Sequence, residues 1–548
     1  MPSFKESGLY RYVAGIKGLP AGILNRQLLM TTFVFALAGM PKGWDEGSAS
    51  AITQLPSFLS EYPVNSTLGS ESNTISNLVS FVNIGAGVGA LMSFLINDRF
   101  GRRQSLRIYQ AVYVIGSLIS CFSYGNLAAL YVGRIVAGLG IGACTVVGPM
   151  TIAEIAPKTV RGLMTLWFNV AMLSGQMVGV FVVYGCSRNI SSAISLEYQV
   201  PWFVQTFAPA ISFIGSFFVV ESPRWLAILG QPQQALESLI KLRGLPGNHP
   251  YVEEEYTHLL NSIEDESIEF GDKGVMSVVK ETFLVRSNLR RLQLVVIAYI
   301  LAQFSGANSV TNYLPTIFGL VGIKAADSKV LTSGIYALVK LICTIMASLV
   351  FVDLLGRRKS LMIGITIQMI CHSYLAGYLN FEQRDGYMPE GASKFAIVVI
   401  YIHAIGWAIG LYTLPYLFGA ELWPNRIRSF GGALSQSFHW FLYFAITKAT
   451  PSILSSFKIW GAFVFFVGWC LVALVYTFFC VPETSSLSLD DMNLIFQRST
   501  LKMRQPLPSQ HTDVEGTHLD EKRPSLDFSS GKDMHVENTE NRQSSATM

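Results

Sequence analysis

Charged side chains recur with one spacing at two distant places in the chain. The stretch 98–103 reads Asp-Arg-Phe-Gly-Arg-Arg, and the stretch 353–358 reads Asp-Leu-Leu-Gly-Arg-Arg. An arginine guanidinium can bind a carboxylate through two hydrogen bonds, so these residue types suit ion pairing. Gly101 supplies a permissive backbone for a tight turn between them. The repeat indicates a duplicated chain.

Enzyme chemistry is not indicated by any other motif. The sequence contains no phosphate-binding Gly-Lys-Ser/Thr loop, no cluster of metal ligands and no nucleophile elbow. Its seven cysteines show neither zinc spacing nor a disulfide framework, and we interpret them as small core residues. We therefore expect a protein without enzyme activity, cofactor or metal.

The repeated charges lie in a very apolar chain. Of the 548 residues, 51% are hydrophobic and only 14% are charged, and the mean hydropathy is +0.40. An apolar helix of about 20 residues can cross about 30 Å of hydrocarbon. Twelve such runs occur, at residues 28–50, 76–96, 106–124, 128–152, 163–185, 201–220, 291–320, 331–352, 360–380, 395–418, 430–450 and 459–480. We predict an all-α membrane protein whose twelve transmembrane helices form two pseudo-symmetric six-helix bundles.

Lysine and arginine residues mark one side of the membrane. They follow the even-numbered spans, for example at Arg102 and Lys158, whereas residues 51–73 contain none. Since basic loops stay in the cytoplasm, both termini are predicted to be cytoplasmic, in a plasma-membrane protein. Two glycosylation sequons, at Asn65 and Asn189, fall on the predicted outer side. The net charge of +4 is too small to suggest a nucleic-acid partner.

The chain divides into five segments by composition. These are a cytoplasmic N-terminal segment (1–27), a first six-helix bundle (28–220), a cytoplasmic linker (221–290), a second bundle (291–480) and a cytoplasmic tail (481–548). Residues 233–243 and 251–265 of the linker resemble short helices, and the linker is predicted equally well as a solvated connection or as a structured latch. The tail lacks hydrophobic periodicity from about residue 500 and is predicted to be disordered.

Six spans on either side of a middle loop, with the duplicated motif, resemble the major facilitator superfamily. Finer motifs resemble its sugar porter family, in particular fungal sugar, polyol and quinate-type permeases. These motifs are Gly-Arg-Ile-Val-Ala-Gly at 133–138, Pro…Glu…Ala-Pro at 149–157 followed by Arg161-Gly162, Glu-Ser-Pro-Arg at 221–224, Glu-Leu-Trp-Pro at 421–424 and Pro-Glu-Thr at 482–484. They occur in the family's order and cover nearly the whole chain.

The resemblance implies a gate at the cytoplasmic ends of the helices. In the family, carboxylates and arginines there lock the two halves together when the substrate site faces outward and separate when it faces inward. Topology alone would explain the basic members but not the matched carboxylates. The gating residues implied here are Asp98, Arg102, Arg103, Glu154, Arg161, Glu221, Arg224, Asp353, Arg357, Arg358, Glu421 and Arg428.

The resemblance also implies a sugar site between the bundles. Polar groups inside membrane spans are costly unless they line a cavity, and sugars need amides, hydroxyls and aromatic faces. The implied substrate-binding residues are Asn169, Gln176, Gln303, Asn308, Asn312, Tyr416 and Trp440. The tenth span departs from the family, with Tyr412-Thr413 where Gly-Pro is usual, which weakens an assignment to plain glucose.

Asp45 matches a position where proton-coupled members of the family carry aspartate. The family's partner for it is an arginine that corresponds to Arg134. We predict proton symport, with Asp45 as the coupling carboxylate and Arg134 setting its protonation. A purely structural ion pair is the alternative, and Glu46 could act as a second acid.

Two lysines are unusual for a sugar carrier. Lys340 lies within the eighth span, and Lys42 is placed near the outer end of the first. They could meet an anionic substrate such as a sugar acid or quinate, or they could snorkel or pair with a carboxylate.

The sequence therefore predicts a secondary transporter that moves a sugar or related polyhydroxy compound, with protons and the lipid bilayer as its other partners. A facilitative uniporter, a permease for sugar acids or quinate, and a metabolite exporter are alternatives, since the fold is indifferent to direction. A nutrient receptor that does not transport is a further class, but such receptors usually have much longer tails.

Overall fold

The computed structural model describes residues 8–62, 70–270, 274–351, 355–386, 388–412, 422–483 and 495–496. Within these ranges the regular secondary structure is helical and contains no strand. Four predicted site residues, namely Asn65, Asp353, Tyr416 and Glu421, lie outside them, as does the tail beyond residue 496.

The first half of the chain folds into nine helices within the described residues. They are α1 (Gly8–Gly18), α2 (Arg26–Leu37), α3 (Met40–Ile52), α4 (Pro56–Glu61), α5 (Ser70–Cys121), α6 (Leu127–Ile155), α7 (Arg161–Asn189), α8 (Leu196–Val204) and α9 (Phe207–Gly215). Asparagine caps begin two of them: the Asn25 side chain accepts a hydrogen bond from the Leu28 amide, and Asn126 accepts from the amides of Ala128 and Ala129.

The linker is structured where the structure describes it. Its helices are α10 (Pro223–Ile228), α11 (Pro232–Arg243), α12 (Pro250–Phe270) and α13 (Val275–Leu284). Helix α11 ends at Gly244, whose left-handed φ of 64° closes the helix. Arg243 is buried, pairs with Glu255 at 2.6 Å and donates to the Ile155 carbonyl oxygen of α6. The described part of the linker is therefore helical and contacts α6 through Arg243, and its action as a latch stays a prediction.

The second half repeats the pattern of long helices. It contains α14 (Arg286–Phe304), α15 (Ala307–Asn312), α16 (Leu314–Leu320), α17 (Ala326–Met346), α18 (Arg357–Asp385), α19 (Glu390–Trp407), α20 (Arg428–Ser456) and α21 (Trp460–Cys480), with π-helical turns at Ala347–Phe351 and Ala408–Tyr412. The two halves meet where α17 packs against α7 and α20 packs against α5.

Seven helices in the described part of the chain, α5 among them, are long and apolar enough to cross a membrane. Three of the other predicted spans appear as broken helices. The first divides into α2 and α3, the sixth into α8 and α9, and the seventh into α14, α15 and α16, where Gly306 adopts a φ of 85°. Such breaks expose backbone polar groups, which a membrane protein tolerates only beside a cavity or buried in protein.

Spans two and three form the single helix α5, interrupted only at Gly101. This residue has a φ of 81° and a ψ of 174°, while the residues on both sides stay helical. Gly356, in the second copy of the motif, has nearly the same conformation, with a φ of 81° and a ψ of 158°. Gly101 therefore reverses the chain within α5 without a separate loop, and Gly356 gives the start of α18 the same backbone conformation.

Candidate functional site

Polar side chains from both halves converge at the centre of the bundle. Two cavities of about 10 Å³ each lie there, which is about the space one water molecule needs. The first is lined by Lys42, Tyr299, Ala302, Gln303, Asn308, Trp407, Leu411, Tyr412 and His439, and the second by Lys42, Asp45, Glu46, Val79, Val82, Asn83, Ile141, Asn312, Trp440 and Tyr443. The site is therefore built between the two halves of the chain.

Asp45 and Arg134 form a buried ion pair beside the second cavity. Arg134 donates from Nη1 to Asp45 Oδ1 and from Nη2 to Oδ2, the latter at 3.1 Å. Its Nε donates to the Leu78 carbonyl oxygen at 2.9 Å, and its guanidinium lies 5.2 Å from the ring centre of Trp202. The two-point contact and the extra acceptor satisfy a guanidinium that is only 1% exposed.

Glu46 joins the two halves through a second set of contacts. Tyr443 of α20 donates to Glu46 Oε1 at 2.9 Å, and Lys340 of α17 lies with its Nζ 3.9 Å from Oε2. Lys340 donates to Gln176 Oε1 of α7 at 3.1 Å and lies over the ring of Tyr412. A buried lysine thus links residues that line each of the two cavities.

Amide side chains of the broken seventh span form a connected network. Asn308 donates to Gln303 Oε1 at 2.7 Å, and Gln303 Nε2 contacts His439 Nδ1 at 3.1 Å. Asn312 donates to the Tyr443 hydroxyl at 2.9 Å, which extends the network to Glu46. These amides lie on both sides of the break at Gly306 and contact α20, and they supply donors and acceptors of the kind that hydroxyl groups bind.

Lys42 and Trp440 close the centre of the site. The Lys42 ammonium lies 5.5 Å from the Trp440 ring centre, and the indole donates to Thr145 Oγ1 of α6 at 3.3 Å. Trp440 stacks on Tyr443, with ring centres 5.9 Å apart. Lys42 is 5% exposed and lines both cavities, so it belongs to the site between the halves.

The structure brings together most of the side chains singled out from the sequence. They are Asp45, Arg134, Gln176, Gln303, Asn308, Asn312 and Trp440. Asn169 is half-buried on α7, two turns before Gln176, and does not line either cavity.

Sequence reasoning missed His439 and Tyr443 as members of the site, and left Glu46 without a partner. The spacing of Lys42 and Glu46 could have indicated that they interact, since charges four residues apart share one helix face.

Away from this central site, Arg102 is the centre of the contacts made by the first charged motif. Its Nε and Nη2 donate to the two carboxylate oxygens of Glu154 at 3.0 and 2.9 Å, and its Nη1 lies 3.6 Å from the exposed Asp98. Glu221 accepts from the backbone amides of Arg102 and Arg103, at 2.9 Å for the former. Burial raises the pKa of the Glu221 carboxyl group, although these backbone donors act to lower it.

The second copy of the motif has the same geometry with a different acid. Glu483 accepts from the backbone amides of Arg357 and Arg358 at 3.0 and 3.2 Å. A Cβ on Gly101 would lie 2.8 Å from Glu221 Oε2, and a Cβ on Gly356 would lie 2.8 Å from Glu483 Oε2. Glu483 therefore takes the place of Glu221, a role that the sequence did not assign to it.

The remaining described gating residues lie at or near helix starts. Arg161 is exposed at the start of α7, Arg224 is half-buried in α10, and Arg428 donates to the Trp423 carbonyl oxygen at 3.4 Å. Asn189 ends α7 and is exposed, with its amide donating to the Gly185 carbonyl oxygen.

Solved structures of known transporters share this fold. The XylE proton:xylose symporter bound to 6-bromo-6-deoxy-D-glucose superposes with a TM-score of 0.72 at 22% identity, over 86% of this chain and 99% of that one. Inward-open XylE from E. coli gives a TM-score of 0.67 at 21% identity, over 85% and 99% of the two chains. The described helices thus have the twelve-helix fold of the major facilitator superfamily.

Fungal permeases are similar in sequence over most of their length. The quinate permease of Neurospora terricola is 29% identical over 491 residues, which is 87% of this chain and 90% of the relative. The probable quinate permease of Aspergillus niger is 28% identical over 536 residues, 96% of this chain and 98% of the relative. The profile of the family "Sugar (and other) transporter" matches residues 31–496. The chain belongs to this family of membrane transporters.

Proposed function

We propose that this chain is a secondary active transporter that moves a sugar or related polyhydroxy compound in symport with protons. The observation that carries the proposal is the buried pair of Asp45 and Arg134 at the edge of a polar cavity. The amide of Asn312 and the rings of Trp440 and Tyr443 give this cavity the groups that a polyhydroxy ring binds. We further propose that the carrier works in the plasma membrane with both termini cytoplasmic.

Asp45 is placed to connect protonation with substrate binding. It lines the same cavity as Asn312 and Trp440, which come from the opposite half of the chain. Protonation would cancel its charge, release Arg134 from one of its two main acceptors and leave a buried cation with weaker compensation. A change at Asp45 is therefore transmitted to the interface between the halves, whose separation alternating access requires.

Substitution of Asp45 tests the coupling. In proteoliposomes, Asp45→Asn should abolish uphill accumulation driven by a pH gradient and should retain exchange of labelled for unlabelled substrate, because exchange needs no net proton movement. Glu390→Gln is the matched control, since Glu390 is exposed and pairs only locally with Lys394. Uphill accumulation by Asp45→Asn at the wild-type level would contradict the proposal and favour a structural ion pair.

A carrier for polyhydroxy acids is the second candidate. The relatives named quinate permeases favour it, and so does the buried Lys340, which a neutral sugar does not require. The same transport assay distinguishes uniport, which does not depend on the pH gradient, and export, which runs in the opposite direction.

A further inference from the structure

Three charged side chains at the centre of the molecule take no part in the Asp45–Arg134 pair. Lys42 and Glu46 lie one turn apart on α3, and Lys340 comes from α17 of the other half. Their exposed fractions are 5%, 6% and 0%, respectively. Charged groups so deeply buried in a membrane domain are expensive, and they mark a binding or transport function by default.

The contact between Lys340 and Glu46 is loose. The 3.9 Å between Lys340 Nζ and Glu46 Oε2 exceeds a hydrogen-bond distance, and Oε2 has no hydrogen-bond partner among the described residues. Lys340 instead donates to the neutral amide of Gln176. Glu46 thus acts as a counter-ion at a distance, and its carboxylate leaves Lys340 able to take a closer anionic acceptor.

The charges of the cluster do not cancel. Both lysines interact electrostatically with Glu46, while Asp45 and Arg134 neutralise each other. Among the described charged residues that line the cavities or contact those that do, one positive charge is therefore in excess. A buried excess charge has a large desolvation cost, which a bound anion removes and a neutral polyol does not.

We propose that the substrate carries a carboxylate and that this group binds between Lys42 and Lys340. This inference rests on the proposed transport function and names its substrate class as polyhydroxy carboxylates. Glu46 holds Lys340 in the empty carrier, and the substrate carboxylate becomes its closer partner on binding. Since Lys42 belongs to the first half of the chain and Lys340 to the second, a carboxylate held by both draws the halves together around the substrate.

Uptake into proteoliposomes distinguishes anionic from neutral substrates. The probes are labelled quinate and D-gluconate as polyhydroxy acids, and labelled myo-inositol and D-xylose as neutral compounds. Wild-type protein should take up at least one of the acids in preference to both neutral compounds. Lys340→Gln should raise KM for the acid by about 30-fold or more, the effect of removing one partner of a buried charge pair. Lys340→Arg, which keeps the charge, should preserve the preference.

Two further variants separate recognition from structure. Lys42→Gln should weaken acid uptake in the same way as Lys340→Gln, whereas Glu46→Gln should lower KM for the acid because it removes the competing carboxylate. Lys324→Gln, at an exposed position just before α17, is the control and should change neither the uptake of the acid nor its KM. Size-exclusion profiles and melting temperatures of the purified variants identify any that fail to fold; if Lys340→Gln is one of them, Lys42→Gln carries the comparison.

The outcomes separate this inference from the proposed function. Uptake of a neutral compound without uptake of either acid would overturn the inference and leave the transport function standing. An equal loss of acid and neutral uptake in Lys340→Gln would also overturn it, since a merely structural lysine affects every substrate. Uptake of none of the four probes in either direction would overturn the proposed function, and this inference with it.

Discussion

Gly43 lies where α3 crosses α7, at a point where the two backbones touch. A Cβ atom on Gly43 would lie 1.6 Å from the Met172 carbonyl oxygen, and one on Gly47 would lie 2.3 Å from the Gln176 carbonyl oxygen. No side chain fits in either place. The contact sets the face of α3 that looks toward the second half of the chain, and Lys42, Asp45 and Glu46 come next to it in sequence. The absence of side chains at Gly43 and Gly47 thus lets α3 place the charged residues of the site.

Substitution of Gly43 by alanine should therefore destabilise the protein. The added methyl group must push α3 away from α7, and overpacking of this kind costs about 3 kcal/mol at the upper end of its usual range. Gly185→Ala on α7 is the matched control, because nothing lies within 4 Å of its added Cβ. The melting temperature of the purified protein is the measurement, and equal values for the two variants would contradict the close approach of the helices.

At the scale of elements, the repeated motif is a helix start that a carboxylate caps. Both glycines have a φ of 81°, and in both halves the next two amides donate to one glutamate. Two orphan amides at a helix start favour a negative charge there. Glu221 is half-buried and Glu483 is exposed, so the two carboxylates have the same hydrogen-bond geometry in different surroundings.

The two glutamates should therefore contribute unequally to stability. Glu221→Gln should lower the free energy of unfolding by about 1–3 kcal/mol, since buried donors lose a charged acceptor, and Glu483→Gln by about 0.3–1 kcal/mol, as for an exposed charge at a helix start. The double variant should show nearly additive losses because the sites are separate. Thermal and denaturant unfolding of the purified variants measures this. Equal losses, or a larger loss for Glu483→Gln, would contradict the link between burial of the carboxylate and its contribution to stability.

The sequence predicted the membrane spans and the glycine turns better than the contacts between residues far apart in the chain. Apolar runs locate the spans because membrane helices must satisfy their own backbone, and the repeated motif located both glycine turns. The breaks inside the first and seventh spans were not predicted, since a glycine within an apolar run does not show whether another backbone approaches it. Asp45 and Arg134 are separated by 89 residues, and only the resemblance to a family paired them. The pairing of Lys340 with Gln176, across 164 residues, has no signature in one sequence.

At the scale of the whole molecule, contacts between the halves occur at both ends of the helices. At one end Ser429 of α20 donates to Asp98 of α5 at 3.3 Å, and the rings of Phe94 and Phe430 lie 5.2 Å apart. At the other end Arg188 of α7 pairs with Asp327 of α17 at 3.2 Å. A carrier that exposes its centre to one side at a time must break one set of contacts while it keeps the other.

Cysteine pairs at the two ends test this coupled motion. Asp98→Cys with Ser429→Cys reports the end with the charged motifs, and Arg188→Cys with Asp327→Cys reports the opposite end, in a background where the half-buried Cys343 and Cys480 are replaced by serine. Addition of a transported substrate should change the rates of cross-linking of the two pairs in opposite directions, because closure of one end accompanies opening of the other. Single-cysteine variants are the controls. Rates that rise or fall together at both ends would mean that substrate tightens or loosens the whole molecule, and alternating access would not then describe its motion.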